Sequence, residues 1–504
     1  MRSGGRGITR RDALKLGLLG GAALALPSGV VASRAASTAS SDPLTTLPEP
    51  FQVPLSVPPV LKRGGRGRNA DYYRVVMRKA EAEIIPGLST RIWGYNGLFP
   101  GPTIQARSGR ASVVRFSNKL PEGMVVHNHG AYADGNNDGH PADVVRPRTH
   151  KTYSYNNSQN ARTMWYHDHV MDLTSPHVYK GLAGFFLIQD DFEDGLPLPK
   201  GPYDVPFMIQ DRSFNSDGSF SDNHEIPGNV MLVNGKPQPR FEVAARKYRL
   251  RFLNASNVES FELALALESG EPVAGPLTVI TTEGGLLETP VSIPSLPIMP
   301  AERYEAVVDF SAYPVGTRIV LKNLKSFRPS TDDVMCFDVV RQGTDDSSVP
   351  STLRPPEAQR DATHLAEDPD SAVRTRTWTF EQTSGHWTIN GKMWDENRID
   401  ADLREGETEV WEFVNNGGVE HPAHVHLTNF KVLDRNGNAP FAYENGWKET
   451  VSVGPFQTVR VLIKWPEVPV ESKSPYARRF PFHCHQLAHE DHMMMAQFEV
   501  GEPL

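Results

Sequence analysis

Short stretches of this chain alternate apolar and polar residues. In Tyr248-Arg249-Leu250-Arg251-Phe252-Leu253 every second side chain is apolar, a period of two that places one face of an extended strand in a core. Such runs recur between Gly, Pro and Asn turns, the pattern of an all-β sandwich. A threefold repeat organises them. Asn96-Gly97 leads to Arg115-Phe116-Ser117-Asn118, Asn234-Gly235 to Arg251-Phe252-Leu253-Asn254, and Asn390-Gly391 to Glu412-Phe413-Val414-Asn415. A repeat of this size predicts three consecutive β-sandwich domains, over 51–195, 196–341 and 373–504. The polar, Pro-rich stretch 342–372 reads as the connection between the second and third.

Composition agrees. A length of 504 residues suits about three domains of ~150 residues each. An apolar content of 39% and a negative mean hydropathy exclude a protein with many membrane spans. The net charge of −8 gives no general attraction to nucleic acid, so the basic run Lys62 to Arg68 reads as a solvated loop. Residues 1–35 have the layout of a targeting segment: the twin-arginine run Thr9-Arg10-Arg11-Asp12, an apolar stretch from Leu16 to Leu26, then small residues near Ala35. Export by the twin-arginine machinery to a periplasmic, cell-wall or extracellular location is expected. A Pro/Ser/Thr-rich linker over 36–50 follows. The apolar stretch is too short for a comfortable membrane span, so no stable insertion is expected after processing. Cys336 and Cys484 are the only cysteines, and no intrachain disulfide is expected. Cys336 reads as a small buried hydrophobe.

The chemistry is concentrated near the C-terminus, in His483-Cys484-His485-Gln486-Leu487-Ala488-His489-Glu490-Asp491-His492-Met493-Met494-Met495. On an extended strand His483 and His485 face one way and Cys484 the other, so two metal sites can sit back to back. A thiolate, two imidazoles and a distant thioether suit blue copper; zinc gains nothing from the trailing Met. Three further clusters match: His127-Asn128-His129, His167-Asp168-His169 after Trp165-Tyr166, and His421-Pro422-Ala423-His424-Val425-His426. Each contains an i, i+2 pair. With His483 and His485 these make eight imidazoles, enough to enclose three coppers with room for dioxygen, while His421 can turn toward Cys484. Ten of the 17 His, those quoted above without His492, make up these clusters; the other seven, and Met493 and Met495, read as packing or surface residues.

The four clusters resemble the copper-binding motifs of the multicopper oxidases, over nearly all of the chain after the leader. The stretches Trp165 to His169 and His489 to His492 are most similar to the group of bacterial spore-coat laccase, bilirubin oxidase and phenoxazinone synthase. The resemblance implies three cupredoxin-like Greek-key domains and four copper ions. It implies that His421, Cys484 and His489 bind the blue copper, with Met494 axial. His127 and His424 would bind the lone copper of a trinuclear cluster. His129, His167, His169, His426, His483 and His485 would hold its coupled pair, between domains one and three. Asp138 resembles an acid placed near that cluster, where a carboxylate can relay protons; an Asp-Gly turn residue is the plainer reading. Glu490 reads equally as a tuning or proton-supplying acid and as an exposed helix-end acid.

The implied activity takes one electron from each of four small reducing molecules at His489 and uses them to reduce dioxygen to water. Phenols, aromatic amines and bilirubin-like compounds are the expected donors, read by loops near His489; Trp394 is a candidate there, with a place in the core as its plainer reading. The rivals are a metallo-oxidase acting on Cu(I) or Fe(II), a copper nitrite reductase and a non-catalytic scaffold. The chain has no Met-rich insertion and keeps every ligand position, which disfavours all three.

Overall fold

The computed structural model describes residues 42–273, 277–364, 368–470 and 473–502. The leader expected over 1–35, and residues 36–41 of the linker, lie outside them. Among the described residues the strands form six sheets, which face each other in pairs. In the first pair Val75, Phe116 and Tyr153 meet Val126, Tyr166 and Phe186. In the second, Phe207, Phe252 and Tyr304 meet Leu263, Leu321 and Phe337. In the third, Phe380, Trp411 and Val461 meet Val425, Phe482 and Phe498. Each sandwich thus buries the apolar face that its strand alternation supplies.

The threefold repeat has a local cause. Asn96-Gly97, Asn234-Gly235 and Asn390-Gly391 all adopt positive φ at both residues, between 50° and 75°. That tight turn suits Asn-Gly because neither residue is strained there. Each turn Asn also accepts a backbone N–H from the preceding strand: Val76 at 2.9 Å, Met208 at 2.9 Å and Thr379 at 2.6 Å. That strand pairs in parallel with the later one in all three copies, 70–77 with 111–118, 204–209 with 249–254, and 374–380 with 409–415. Asn118, Asn254 and Asn415 close these later strands with side-chain hydrogen bonds to the loops that follow.

Nine short elements carry the site. They are the strands β1 (Val126–His129), β2 (Arg162–Asp168), β3 (His421–Val425), β4 (Thr450–Val453), β5 (Arg479–Cys484) and β6 (Met495–Gly501). The helices are α1 (Gly135–Asp138), α2 (Thr174–Tyr179) and α3 (Leu487–Asp491). β1 pairs antiparallel with β2, His127 opposite His167. β3 lies between β4 and β5, with His424 opposite His483. Asp491 joins the outer sandwiches by accepting the Thr174 and Ser175 amides of α2 at 2.9 and 2.8 Å.

The stretch 342–372 is more than a surface connection. Leu353, Arg354, Asp361 and Thr363 are buried. Arg162 pairs with Asp361, and Thr363 donates to Asn429 at 2.6 Å, so this stretch packs between the outer sandwiches. Polar alternation in Tyr248–Leu253 does not mean exposure either. Arg249 and Arg251 are buried against Glu193, Asp204 and Glu305, where the second sandwich meets the end of the first. Among the described residues no helix is long and apolar enough to cross a membrane.

Candidate metal centre

β3, β5 and α3 bring His421, Cys484 and His489 together. Cys484 Sγ lies 3.4 Å from His421 Nδ1 and 3.5 Å from His489 Nδ1, and the two nitrogens are 3.3 Å apart. Met494 is fully buried in the same core; its carbonyl accepts the Cys484 amide at 3.1 Å and its amide donates to His489 O at 2.9 Å. Met493, at φ 75°, makes the turn that returns the chain there. Met495 is buried opposite His483 in the β5–β6 ladder. Burial pushes the Cys484 thiol far up and holds His421 and His489 down at about 4 and about 2. A thiol beside two neutral imidazoles needs a cation to ionise, and copper is such a cation.

On the opposite face of β5, His127, His129, His167, His169, His424, His426, His483 and His485 line one chamber, each at most 1% exposed. His127 stacks on His426 at 4.0 Å and His129 on His424 at 3.8 Å between ring centres; His426 and His483 meet Nε2 to Nε2 at 3.3 Å. Six of the rings anchor Nδ1 on a carbonyl or carboxylate. His127 binds Asp138 O at 2.7 Å, His167 Asp168 O at 2.8 Å and His424 Glu449 O at 2.9 Å. His426 binds Asp138 Oδ2 at 2.6 Å, His169 Glu490 Oε1 at 2.8 Å, and His483 the Cys484 carbonyl at 3.2 Å. His129 meets Thr450 and Glu449 through Nε2.

The remaining nitrogens test the fit of a metal. Nε2 of His127, His167, His169 and His424, Nδ1 of His129 and both nitrogens of His485 are buried with no hydrogen-bond partner. An anchored Nδ1–H leaves the other nitrogen as a bare lone pair, and buried lone pairs facing one another are a poor arrangement for anything but cations. Burial first, and neighbouring rings second, hold His127, His129, His167, His424, His426 and His485 well below their usual range. Donor nitrogens within 4.8 Å group as His127–His424–His426, His127–His129–His167 and His169–His426–His483. The donor set fits copper in number, type and protonation.

Asp138 and Glu490 both sit against this chamber. Asp138 is an Asp-Gly turn residue, with Gly139 capping α1 at φ 94°, yet it is fully buried on His426. Glu490 is no exposed helix-end acid: it is 2% exposed and bridges His169 and His483. Burial alone would raise both acids. It does so for Asp138, whereas the imidazoles of His483 and His169 outweigh it and hold Glu490 well below the carboxylate range.

His489 also borders an open cleft of about 650 Å³. Trp387 packs on it with ring centres 3.9 Å apart. Trp394 does not line this cleft; it is half-buried beside His140. The far wall comes from the middle sandwich, through Glu225, Val258, Glu259, Lys325 and Phe327. Sequence gave no signal for Trp387, because its proximity depends on β-hairpin packing between distant segments. Three of the remaining His are not surface residues. His140 stacks on Tyr476, His364 stacks on Trp447, and His177 lies between Asp168 and Glu122; all three side chains are deeply buried.

Three multicopper oxidase family models match the chain, over residues 77–193, 200–321 and 366–503. It is 37% identical to a bilirubin oxidase of Albifimbria verrucaria, over 89% of this chain and 81% of that one. To a laccase of Bacillus subtilis (strain 168) it is 32% identical, over 90% and 99%. The crystal structure of a laccase from Pediococcus acidilactici Pa5930 matches with a TM-score of 0.80 and 32% identity, over 91% of this chain and 96% of that one.

Proposed function

The chain belongs to the multicopper oxidase family and is a copper oxidoreductase that uses dioxygen, and from that premise we propose a laccase-type enzyme that oxidises small organic donors beside His489. The carrying observation is the pairing of a Cys484 site, bordered by an open cleft, with a sealed eight-imidazole chamber on the other face of one strand. His421, Cys484 and His489, with Met494, would hold one copper. The eight chamber imidazoles would hold three, with His127 and His424 on the lone one. Bound copper would supply one-electron acceptance at the first site and reduction of dioxygen to two waters at the second.

The chain's own residues divide the remaining work. Trp387 and His489 receive the donor ring at the cleft. Cys484 is bonded through its backbone to His483 and His485, giving the shortest covalent path between the two faces. Asp138, which burial pushes up, can carry a proton on Oδ1, the oxygen turned away from His426, and the ionised Glu490 can accept one beside His169 and His483, for the four that dioxygen consumes. Burial of the chamber keeps bulky donors away from oxygen, and Asp491 fixes α3 against the first sandwich.

We further propose domain limits of 51–195, 196–341 and 373–504, and a leader and linker over 1–50 that send the folded protein out by the twin-arginine route. Dioxygen and a small reducing molecule are its partners; the sequence offers nothing for nucleic acid. The test is oxygen uptake by copper-loaded protein with a phenolic dye, o-aminophenol, bilirubin, Cu(I) and Fe(II). Uptake with the organic donors is expected. Uptake with the metal ions alone would make the protein a metallo-oxidase.

A further inference from the structure

The cleft beside His489 holds a feature that electron transfer alone does not require. Three carboxylates line it: Glu225, Glu259 and Glu420. Two are already answered. Glu420 pairs with Lys325 and accepts from Ser452 at 2.9 Å, and Glu225 lies 3.3 Å from His492. Glu259 is different. It is 3% exposed, and neither of its carboxylate oxygens has a hydrogen-bond partner. It stands on the loop after Asn254, whose side chain fixes that loop by donating to the Glu259 carbonyl at 2.9 Å. The position of Glu259 is therefore set by the repeat geometry of the middle sandwich, while its carboxylate is left without a donor.

A buried carboxylate with no donor is destabilising by about 1–3 kcal/mol or more. A group entering the cleft that brings an N–H relieves this and gains a charge-assisted bond. The rest of the wall says what kind of group. Trp387, Phe327, Val258 and Val419 are apolar and offer a ring its faces. A bare metal ion asks for several unengaged donors, and Glu225 and Glu420 are engaged. We infer that Glu259 anchors an ammonium subsite, so that the cleft selects phenolic donors carrying a protonated amine on a short arm. This rests on reading the cleft as the site of the reducing substrate. The middle sandwich, which holds no imidazole pair, then acts as the selecting wall.

Electrostatics agrees with this geometry. Burial, aided by Asp211, pushes Glu259 up to about 8, against the pull of Lys325 and Arg328. With Glu225, Glu420, His489 and His492 these are the charged and titratable groups around it. An arriving ammonium favours the ionised carboxylate, so its binding near pH 7 releases a proton.

The experiment compares p-hydroxyphenylethylammonium, p-ethylphenol and p-hydroxyphenylpropionate, by anaerobic calorimetry on the copper-loaded full chain in buffers of differing ionisation enthalpy, and then by oxygen uptake with each compound and with Fe(II). The ammonium compound is expected to bind about tenfold tighter than the neutral phenol, with proton release, and the carboxylate weakest. Glu259→Gln should bring the preference for the amine close to one and abolish the proton release, while its blue absorption reports an intact fold. Glu259→Asp should keep part of the preference. Three results would overturn the subsite: a preference that survives Glu259→Gln, equal weakening of all three compounds, or a loss confined to Fe(II) oxidation. Amine binding without oxidation of any organic donor would sink the oxidase reading and leave the subsite standing.

Discussion

Six of the eight chamber imidazoles commit Nδ1 to a fixed acceptor, which decides the tautomer and turns the other nitrogen inward. Two of these acceptors are carboxylates, Asp138 and Glu490, which thereby set the tautomers of His426 and His169. Glu490→Gln keeps the side-chain shape and removes the acid. It should slow oxygen uptake by roughly 10–100-fold while the blue absorption persists, as stopped-flow and steady-state rates would record. An equal loss of copper would instead assign Glu490 a purely structural part. Met494→Leu removes a weak donor and should raise the potential of the blue centre, read by redox titration. The ligand positions were legible because each pair is local, two residues apart on one strand. Asp138 was legible only by resemblance, and Glu490 only as the neighbour of His489. Whether Glu490 faces solvent or two imidazoles depends on how α3 docks, and spacing does not carry that.

Among the elements, the Asn that ends the later strand of each parallel pair does the same work three times. Asn415 donates to Val419 and Val453 carbonyls at 2.7 and 3.1 Å and accepts the Gly417 amide at 2.8 Å, all with 1% exposure. Asn415→Ala would strand these groups and should lower stability by about 2–3 kcal/mol, seen as a lower midpoint in denaturant. It should also loosen the loop before His421, so blue-copper retention should fall with it. The repeat itself was readable, since Asn-Gly turns and strand alternation are local signals. The packing of 342–372 between the outer sandwiches was not: Asp361 and Thr363 read as polar linker, yet they find Arg162 and Asn429 across long sequence separations.

For the molecule as a whole, burial of neutral imidazoles makes stability depend on pH. His364 is held down at about 3 and His140 at about 4, both by burial first. The unfolded chain takes up protons on these rings below about 6.5, and the folded one does so only near 3 to 4. Their contribution is therefore complete above pH 6.5 and is lost as pH falls toward 3. His364→Gln should make the thermal midpoint less steeply dependent on pH across that window, by scanning calorimetry. Copper adds a second linkage, because it binds the folded ligand set in preference to the unfolded chain. The most direct test of a two-site copper oxidase is the copper content, visible spectrum and oxygen uptake of the metal-loaded protein beside its Cys484→Ser variant. Four coppers per chain, an intense blue band and oxygen uptake with an organic donor are expected, with the band and the uptake lost in Cys484→Ser and three coppers retained. Full activity in that variant, or a colourless protein that takes up no copper, would contradict it.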